Sequence, residues 1–202
     1  YAEEADYYAF SDQDDIWTEA KLCSAMDFIQ DKSKVLYVSN LTICNTDLEV
    51  LSKTNISSQY SSIYSEFTRH RYAGCTYVFD KKLKQMVDRF SNLSLPKEQM
   101  PSHDALIARC AYACGEVVID ENSYIYHIRY NHSVTIKNNS ILERMKREWC
   151  DLMRPSMTST TAKVILDNIP EYVTENNAIF LRQIVTYRQS LRSWLSLLFN
   201  SN

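Results

Sequence analysis

Three carboxylates within four residues constrain this chain more than anything else in it. They lie in Phe10-Ser11-Asp12-Gln13-Asp14-Asp15-Ile16-Trp17, with apolar residues on both sides. Tyr7, Tyr8, Ala9 and Phe10 read as the end of a buried strand. The acids then stand where a strand leaves its sheet, the edge at which open α/β sheets bind ligands. Carboxylates this close repel one another, and a hard divalent cation, Mg²⁺ or Mn²⁺, relieves the repulsion. Such a cation is commonly held by one or two carboxylates together with substrate phosphates. An acidic turn that caps a helix starting near Thr18 accounts for the same residues, and the cluster alone does not choose.

The chain of 202 residues has room for one domain with a good core, or for one domain and a helical tail. A net charge of -3 gives no reason to expect nucleic acid. Six cysteines occur without a Cys-x-x-Cys pair, so neither a zinc knuckle nor a thioredoxin-type site is indicated. Buried, reduced thiols in a cytosolic protein are expected instead. No apolar run approaches the roughly 18 residues of a membrane span, and no signal peptide is read. The two glycines, Gly74 and Gly115, each call for a backbone reason.

Residues 18–30 read as a helix with Ala20, Cys23, Met26 and Ile29 inward and Lys21 and Asp27 outward. Residues 35–44 are strand-like, and Asn45-Thr46-Asp47 turns the chain into a short return strand over 48–51. Residues 52–69 read as a loop with a short helix. A strand interrupted by Gly74 is expected over 71–79; a glycine there marks a bulge or a close approach to a ligand. Asp80 is an N-cap for a helix carrying Leu83, Met86, Val87 and Phe90. Ser102 opens a further helix with Leu106, Ile107, Cys110 and Cys114 buried, and Gly115 closes it. Short strands over 117–120 and 123–130 follow, joined by a Glu121-Asn122 turn. Ile125, His127 and Arg129 share one face of the second, where the basic pair suits a diphosphate. Helices are expected over 141–153, from near Thr160, and over 175–199. Their basic and apolar faces suit packing on the domain or a peripheral membrane contact.

Ser11-Asp12-Gln13-Asp14-Asp15-Ile16-Trp17, followed by Lys21-Leu22, resembles the Asp-x-Asp segment of family 2 glycosyltransferases, in particular the bacterial rhamnosyltransferase-like branch. The resemblance implies that Asp12 and Asp14 meet the metal, with Asp15 and Trp17 at the nucleotide-sugar. Gly74-Cys75-Thr76 resembles the segment lining the donor and acceptor pocket. His103-Asp104 resembles the position of the catalytic base, and implies that role for Asp104. As an acid in a first helical turn, Asp104 also has the simpler reading of a helix-dipole partner. Tyr126-His127-Ile128-Arg129 resembles a Tyr-Arg-x-His segment with Arg and His exchanged. Arginine is no metal ligand at ordinary pH, so His127 and His132 are the candidates for the family's histidine.

The resemblance covers roughly residues 7 to 134. It implies an α/β fold: a partial GT-A mixed sheet with flanking helices in residues 1–134, and a helical C-terminal extension in 135–202. It implies an inverting, metal-assisted transfer of a sugar, rhamnose among the choices, from a dTDP- or UDP-linked donor. The acceptor is a hydroxyl of a cell-surface glycan or lipid-linked molecule, which suggests a cytoplasmic protein at the inner face of the membrane. A non-catalytic remnant or assembly module is the rival, and a metal-dependent phosphohydrolase would need more ligands. A βαβ unit takes roughly 30 residues or more, and few residues precede Asp12. The base- and ribose-binding strands are therefore expected outside this stretch, with poor nucleotide binding by it alone. The strand near Tyr7 is expected to form an open sheet edge, bare or covered by a second copy.

Overall fold

The computed structural model describes residues 4–30, 35–57, 61–68, 72–91, 93, 101–130 and 157–187. The apolar run expected to form a strand becomes the axis of the sheet, β3 (Leu36–Cys44), buried at all but one position. Its apolar residues are buried on both faces, and the polar Ser39, Asn40 and Thr42 are buried with them. β3 runs parallel to the long strand β6 (Val117–Ile128), from Leu36 beside Val117 to Cys44 beside Ile128. β5 (Val78–Asp80) lies antiparallel on the other side of β3, and β1 (Tyr7–Ala9) lies antiparallel to β5. β2 (Asp15–Trp17) is antiparallel to β6, and β4 (Val50–Lys53) pairs with the end of β3. The order is β1-β5-β3-β6-β2, with β4 off the main path.

Two antiparallel steps separate β1 from β3, so β1, β3 and β6 point the same way. The chain leaves β1 and β6, and enters β5, at one common edge of the sheet. β1 is the last strand in the order, paired on one side only among the described residues.

Among the described residues six helices flank the sheet: α1 (Ala20–Ile29), α2 (Ile63–Thr68), α3 (Lys81–Asp88), α4 (His103–Cys114), α5 (Met157–Asn168) and α6 (Glu175–Thr186). α4 is buried from Ala105 to Cys114, and its small residues Ala108, Ala111 and Ala113 let neighbours approach closely. Ile165, Phe180 and Leu181 from α5 and α6 join Val38, Tyr77, Leu83 and Ile107 in one core. Each such aliphatic side chain contributes roughly 1.5–3 kcal/mol on burial. No described helix is long and apolar enough to cross a membrane.

The helix boundaries follow their chemistry. The Leu83 amide donates to Asp80 Oδ1 at 2.8 Å, the N-cap the sequence predicts. Gly115 takes φ 77°, the left-handed C-cap that glycine adopts without a Cβ penalty. Ser102 makes no side-chain cap bond. The Ala105 amide instead donates to Asp104 Oδ1 at 2.9 Å.

Four local expectations are corrected. Of the strand expected over 71–79, only Val78 and Phe79 lie in a strand among the described residues, because Gly74–Thr76 forms a 3₁₀ turn. The Glu121-Asn122 turn is a bulge within β6, where the register against β3 shifts. There the buried Asp120 accepts from Tyr37 Oη at 2.8 Å and from the Asn122 amide at 2.9 Å. β4 starts later than expected because Asn45 Oδ1 accepts from the amides of Asp47 and Glu49, wrapping the turn around Leu48 at φ 64°. In α1 the inward stripe is Lys21, Ala25 and Ile29, while Cys23 is exposed. The helix expected over 141–153, and the last helix beyond residue 187, lie outside the described residues.

Candidate functional site

The topology brings the acids, the Gly74 turn, and the far end of β6 to the same sheet edge. Past β1, the Asp15 amide donates to Asp12 O at 3.3 Å, which folds the acidic run into a turn. The chain then pairs with β6, and strand alternation turns Asp15 and Trp17 inward while Ile16 faces solvent. The register sets Asp15 beside His127. Their side chains meet, Asp15 Oδ1 and His127 Nδ1 lying 2.7 Å apart.

Asp12, Asp15, Cys75 and His127 each present one ligand atom, and these four atoms lie within 4.8 Å of one another. The Asp15 side chain is fully shielded from solvent. Its Oδ1 is used by His127, but its Oδ2 is buried and makes no hydrogen bond among the described residues. A buried, unpaired carboxylate oxygen is costly, and a cation is the partner that removes the cost. The donor set therefore fits a divalent transition metal. It fits Mg²⁺ less well, because that ion takes oxygen ligands.

The sequence reading pairs Asp12 with Asp14; the structure groups Asp12 with Asp15 and leaves Asp14 outside the four. Lys21, expected on the outer face of α1, is fully buried against this group. Its Nζ donates to Cys75 O at 2.8 Å and lies 3.2 Å from the centre of the Trp17 ring. Burial lowers the Lys21 pKa to about 8, partly offset by the neighbouring Cys75 sulfur and the Asp15 and Asp12 carboxylates. Burial, reinforced by the neighbouring Asp15, pushes the Cys75 thiol far above its ordinary value. Without a cation, Cys75 is therefore a neutral thiol.

Gly74 connects this cluster to Asp104. A Cβ on Gly74 would stand 2.9 Å from Asp104 Cβ and 3.5 Å from Phe10 Cδ2. Only glycine permits so close a seat, which sets Asp104 one residue along from Cys75. His103 packs edge-on to Phe10, the ring centroids 4.9 Å apart. Thr76 is buried and spends its hydroxyl on Ala73 O at 2.8 Å, closing the 3₁₀ turn. The buried Tyr77 hydroxyl makes no hydrogen bond. Burial, with smaller contributions from Glu66 and Asp104, raises its pKa. Arg129 follows β6, its amide donating to Cys44 O at 2.8 Å. His132 lies outside the described residues.

A cavity of about 440 Å³ opens where β6 begins, at the opposite edge. Ser61, Tyr64, Tyr112 and Asn177 line it and no carboxylate does, so the cation chemistry belongs to the acidic edge.

Sequence reasoning missed Cys75 as a member of the cluster and Lys21 as its buried counter-charge. Lys21 had a signal, its i, i+4, i+8 spacing with Ala25 and Ile29. Cys75 had none, because its place depends on β1 pairing with β5.

No protein-family model and no curated protein sequence matches the chain. Among solved structures, Staphylococcus aureus TarS residues 1–349 in complex with UDP-GlcNAc matches 92% of this chain. The TM-score is 0.52 and the sequence identity 15%. The match covers 48% of the TarS chain, so this chain spans about half the length of that neighbour. The likeness carries the fold and only the fold: this is a mixed α/β sheet with flanking helices, arranged as in TarS.

Proposed function

We propose that this chain carries the cation-binding and acceptor-side part of a glycosyltransferase that moves a sugar from a nucleotide-sugar to a hydroxyl, with inversion. The observation that supports it is the convergence of the Asp12/Asp15/His127 cluster, the Gly74 turn and Asp104 on one sheet edge in a glycosyltransferase-type fold. Asp12, Asp15 and His127 would hold the divalent cation, Mn²⁺ or another transition ion. The cation supplies charge stabilisation for the leaving diphosphate when bound. Trp17 and Lys21 form the floor beneath it. Arg129, just past β6, offers a forked contact to the diphosphate.

Asp104 takes the acceptor proton. It sits at the start of α4, where amide dipoles favour the ionised carboxylate, and the Ala105 amide steadies one of its oxygens. Gly74 holds it against the cluster, as in-line displacement requires of a base. His103, Cys75 and Thr76 shape the pocket wall. The donor is read as dTDP- or UDP-linked, and TarS is itself in complex with UDP-GlcNAc. A rhamnose-type sugar, a glycan or lipid-linked acceptor and a cytoplasmic site beside the membrane complete the reading. So does the division into a GT-A-like part over 1–134 and a helical extension over 135–202.

A second reading draws on the outer edge of β1, which pairs on one side only among the described residues. A bare edge recruits another strand, as an assembly module would use it.

Calorimetry with UDP and dTDP, with and without Mn²⁺, tests the first reading. It expects weak, metal-dependent binding to the wild type, lost in Asp15→Ala. Binding that ignores both the metal and the Asp15 substitution overturns it.

A further inference from the structure

Cys75 is an unusual neighbour for a site that handles a hard cation. It is 3% exposed, and its sulfur belongs to the four ligand atoms gathered within 4.8 Å. Asp15 divides its carboxylate, Oδ1 to His127 and Oδ2 to no hydrogen-bond donor. The cluster is thus a pocket open to solvent on the Asp12 side, walled by a sulfur, an imidazole nitrogen and two carboxylates, with one buried oxygen that makes no hydrogen bond among the described residues.

This donor set discriminates between metals. Mg²⁺ demands six oxygen ligands in near-ideal octahedral geometry and keeps several of its waters. Zn²⁺ takes four ligands from cysteine sulfur, histidine nitrogen and carboxylate oxygen. Thiolate ligands favour softer ions, and imidazole suits zinc. The 3₁₀ turn that presents Cys75 is held from two sides. Lys21 Nζ bonds its carbonyl, and Thr76 Oγ1 bonds Ala73 O. The backbone that carries Cys75 is therefore held before any metal arrives.

We propose that Asp12, Asp15, Cys75 and His127 form a thiolate-containing centre that selects Zn²⁺ over Mg²⁺. On binding, a metal–sulfur bond forms and the Cys75 thiol gives its proton to solvent; no electron is transferred. The inference rests on reading the cluster as a cation site, and it does not depend on sugar transfer. It makes Cys75 the residue that sets metal identity.

Co²⁺, the spectroscopic stand-in for Zn²⁺, tests this on the 202-residue chain. The wild type should develop a near-ultraviolet sulfur-to-cobalt charge-transfer band that Zn²⁺ abolishes and excess Mg²⁺ leaves intact. The band should be absent in Cys75→Ser and present in Cys23→Ser, which removes the exposed thiol. Zn²⁺ affinity should fall by at least about 100-fold in Cys75→Ser, since even outer-shell changes cost 10–100-fold. Should Cys75→Ser fail to fold, zinc-edge X-ray absorption on Cys23→Ser takes its place, and one sulfur in the first shell is the expected result. A wild-type spectrum without the band, a band surviving in Cys75→Ser, or a first shell of nitrogen and oxygen alone overturns the proposal. Mn²⁺-dependent nucleotide binding alongside a sulfur-free centre would sink this inference and leave the transferase reading standing.

Discussion

Replacing Gly74 with alanine tests the contact that joins the two halves of the site. The added Cβ would lie 2.9 Å from Asp104 Cβ, closer than carbon atoms pack. Asp104 Cβ is fixed to the backbone of α4, so no flexible side-chain end can swing away. Overpacking of this kind costs roughly 1–3 kcal/mol. Gly74 does not have a positive φ, so alanine also restricts the unfolded chain and returns about 0.4–1 kcal/mol. The net expectation is a loss of about 0–2.6 kcal/mol, or up to roughly 10 °C in Tm for a chain of this size. A double-mutant cycle in urea isolates the cause. In an Asp104→Gly background the offending carbon is gone, and Gly74→Ala should cost about 1 kcal/mol less, a coupling expected of residues in contact. Gly115→Ala is the control. It forces a left-handed alanine at about 1–2 kcal/mol but meets nothing closer than 3.5 Å, and should show no coupling to Asp104→Gly. If Gly74→Ala stabilises the protein, or costs the same in both backgrounds, the close seat of Asp104 against the turn is refuted.

Asp104→Asn keeps an oxygen for the Ala105 amide, so its Tm should stay near wild type. Sugar transfer should fall by about 10²-fold or more if Asp104 is the base, and near-normal turnover would leave it only a helix-dipole role. Asp80→Ala removes the cap on Leu83 and should cost about 0.5–2 kcal/mol, read from the urea midpoint. For metal-free protein, Lys21 has a folded pKa of about 8 against about 10.4 unfolded. Between those values the unfolded chain holds a proton that the folded chain lacks, so the Lys21 contribution to stability rises with pH and is flat below the window. Raised thiols such as Cys75 and Cys114 act oppositely, so the measurement is the wild type minus Lys21→Met. A difference independent of pH from 7 to 10 contradicts the buried-ammonium account.

Much of the fold was legible because local rules agreed with it. β3 announces itself as a long apolar strand, Asn45 as a turn, Asp80 as a cap and Gly115 as a stop. The errors came where pairing overrode propensity. β-branched and aromatic residues around Gly74 suggest a strand, but the turn must break there to let α4 approach. Glu121 and Asn122 suggest a turn, yet β6 continues because β3 is beside it to receive the bulge. Neither constraint is local, so neither is written in the neighbouring residues.

The same distinction explains what the candidate site hid. The acidic run was visible as a cluster of charge, but its division was not, because a charge count treats Asp14 and Asp15 alike. Pairing with β6 decides between them: it turns Asp15 inward beside His127, and Asp14 takes no place in the group. Lys21 was misplaced for a related reason. A lysine in the first turn of a helix is ordinarily solvated, and its spacing with Ala25 and Ile29 argues for burial only weakly until the acids beneath it are known. Once Asp12 and Asp15 are there, the ammonium offsets part of their repulsion while its Nζ lies over the Trp17 ring. An acidic cluster carrying its own buried cation stays folded before a metal binds. A metal must then add to that charge rather than replace it, which favours an ion able to take a thiolate as its further anionic ligand. The inward lysine and the buried cysteine thus belong to one electrostatic arrangement, which became readable only once the two strands and the turn had been assembled.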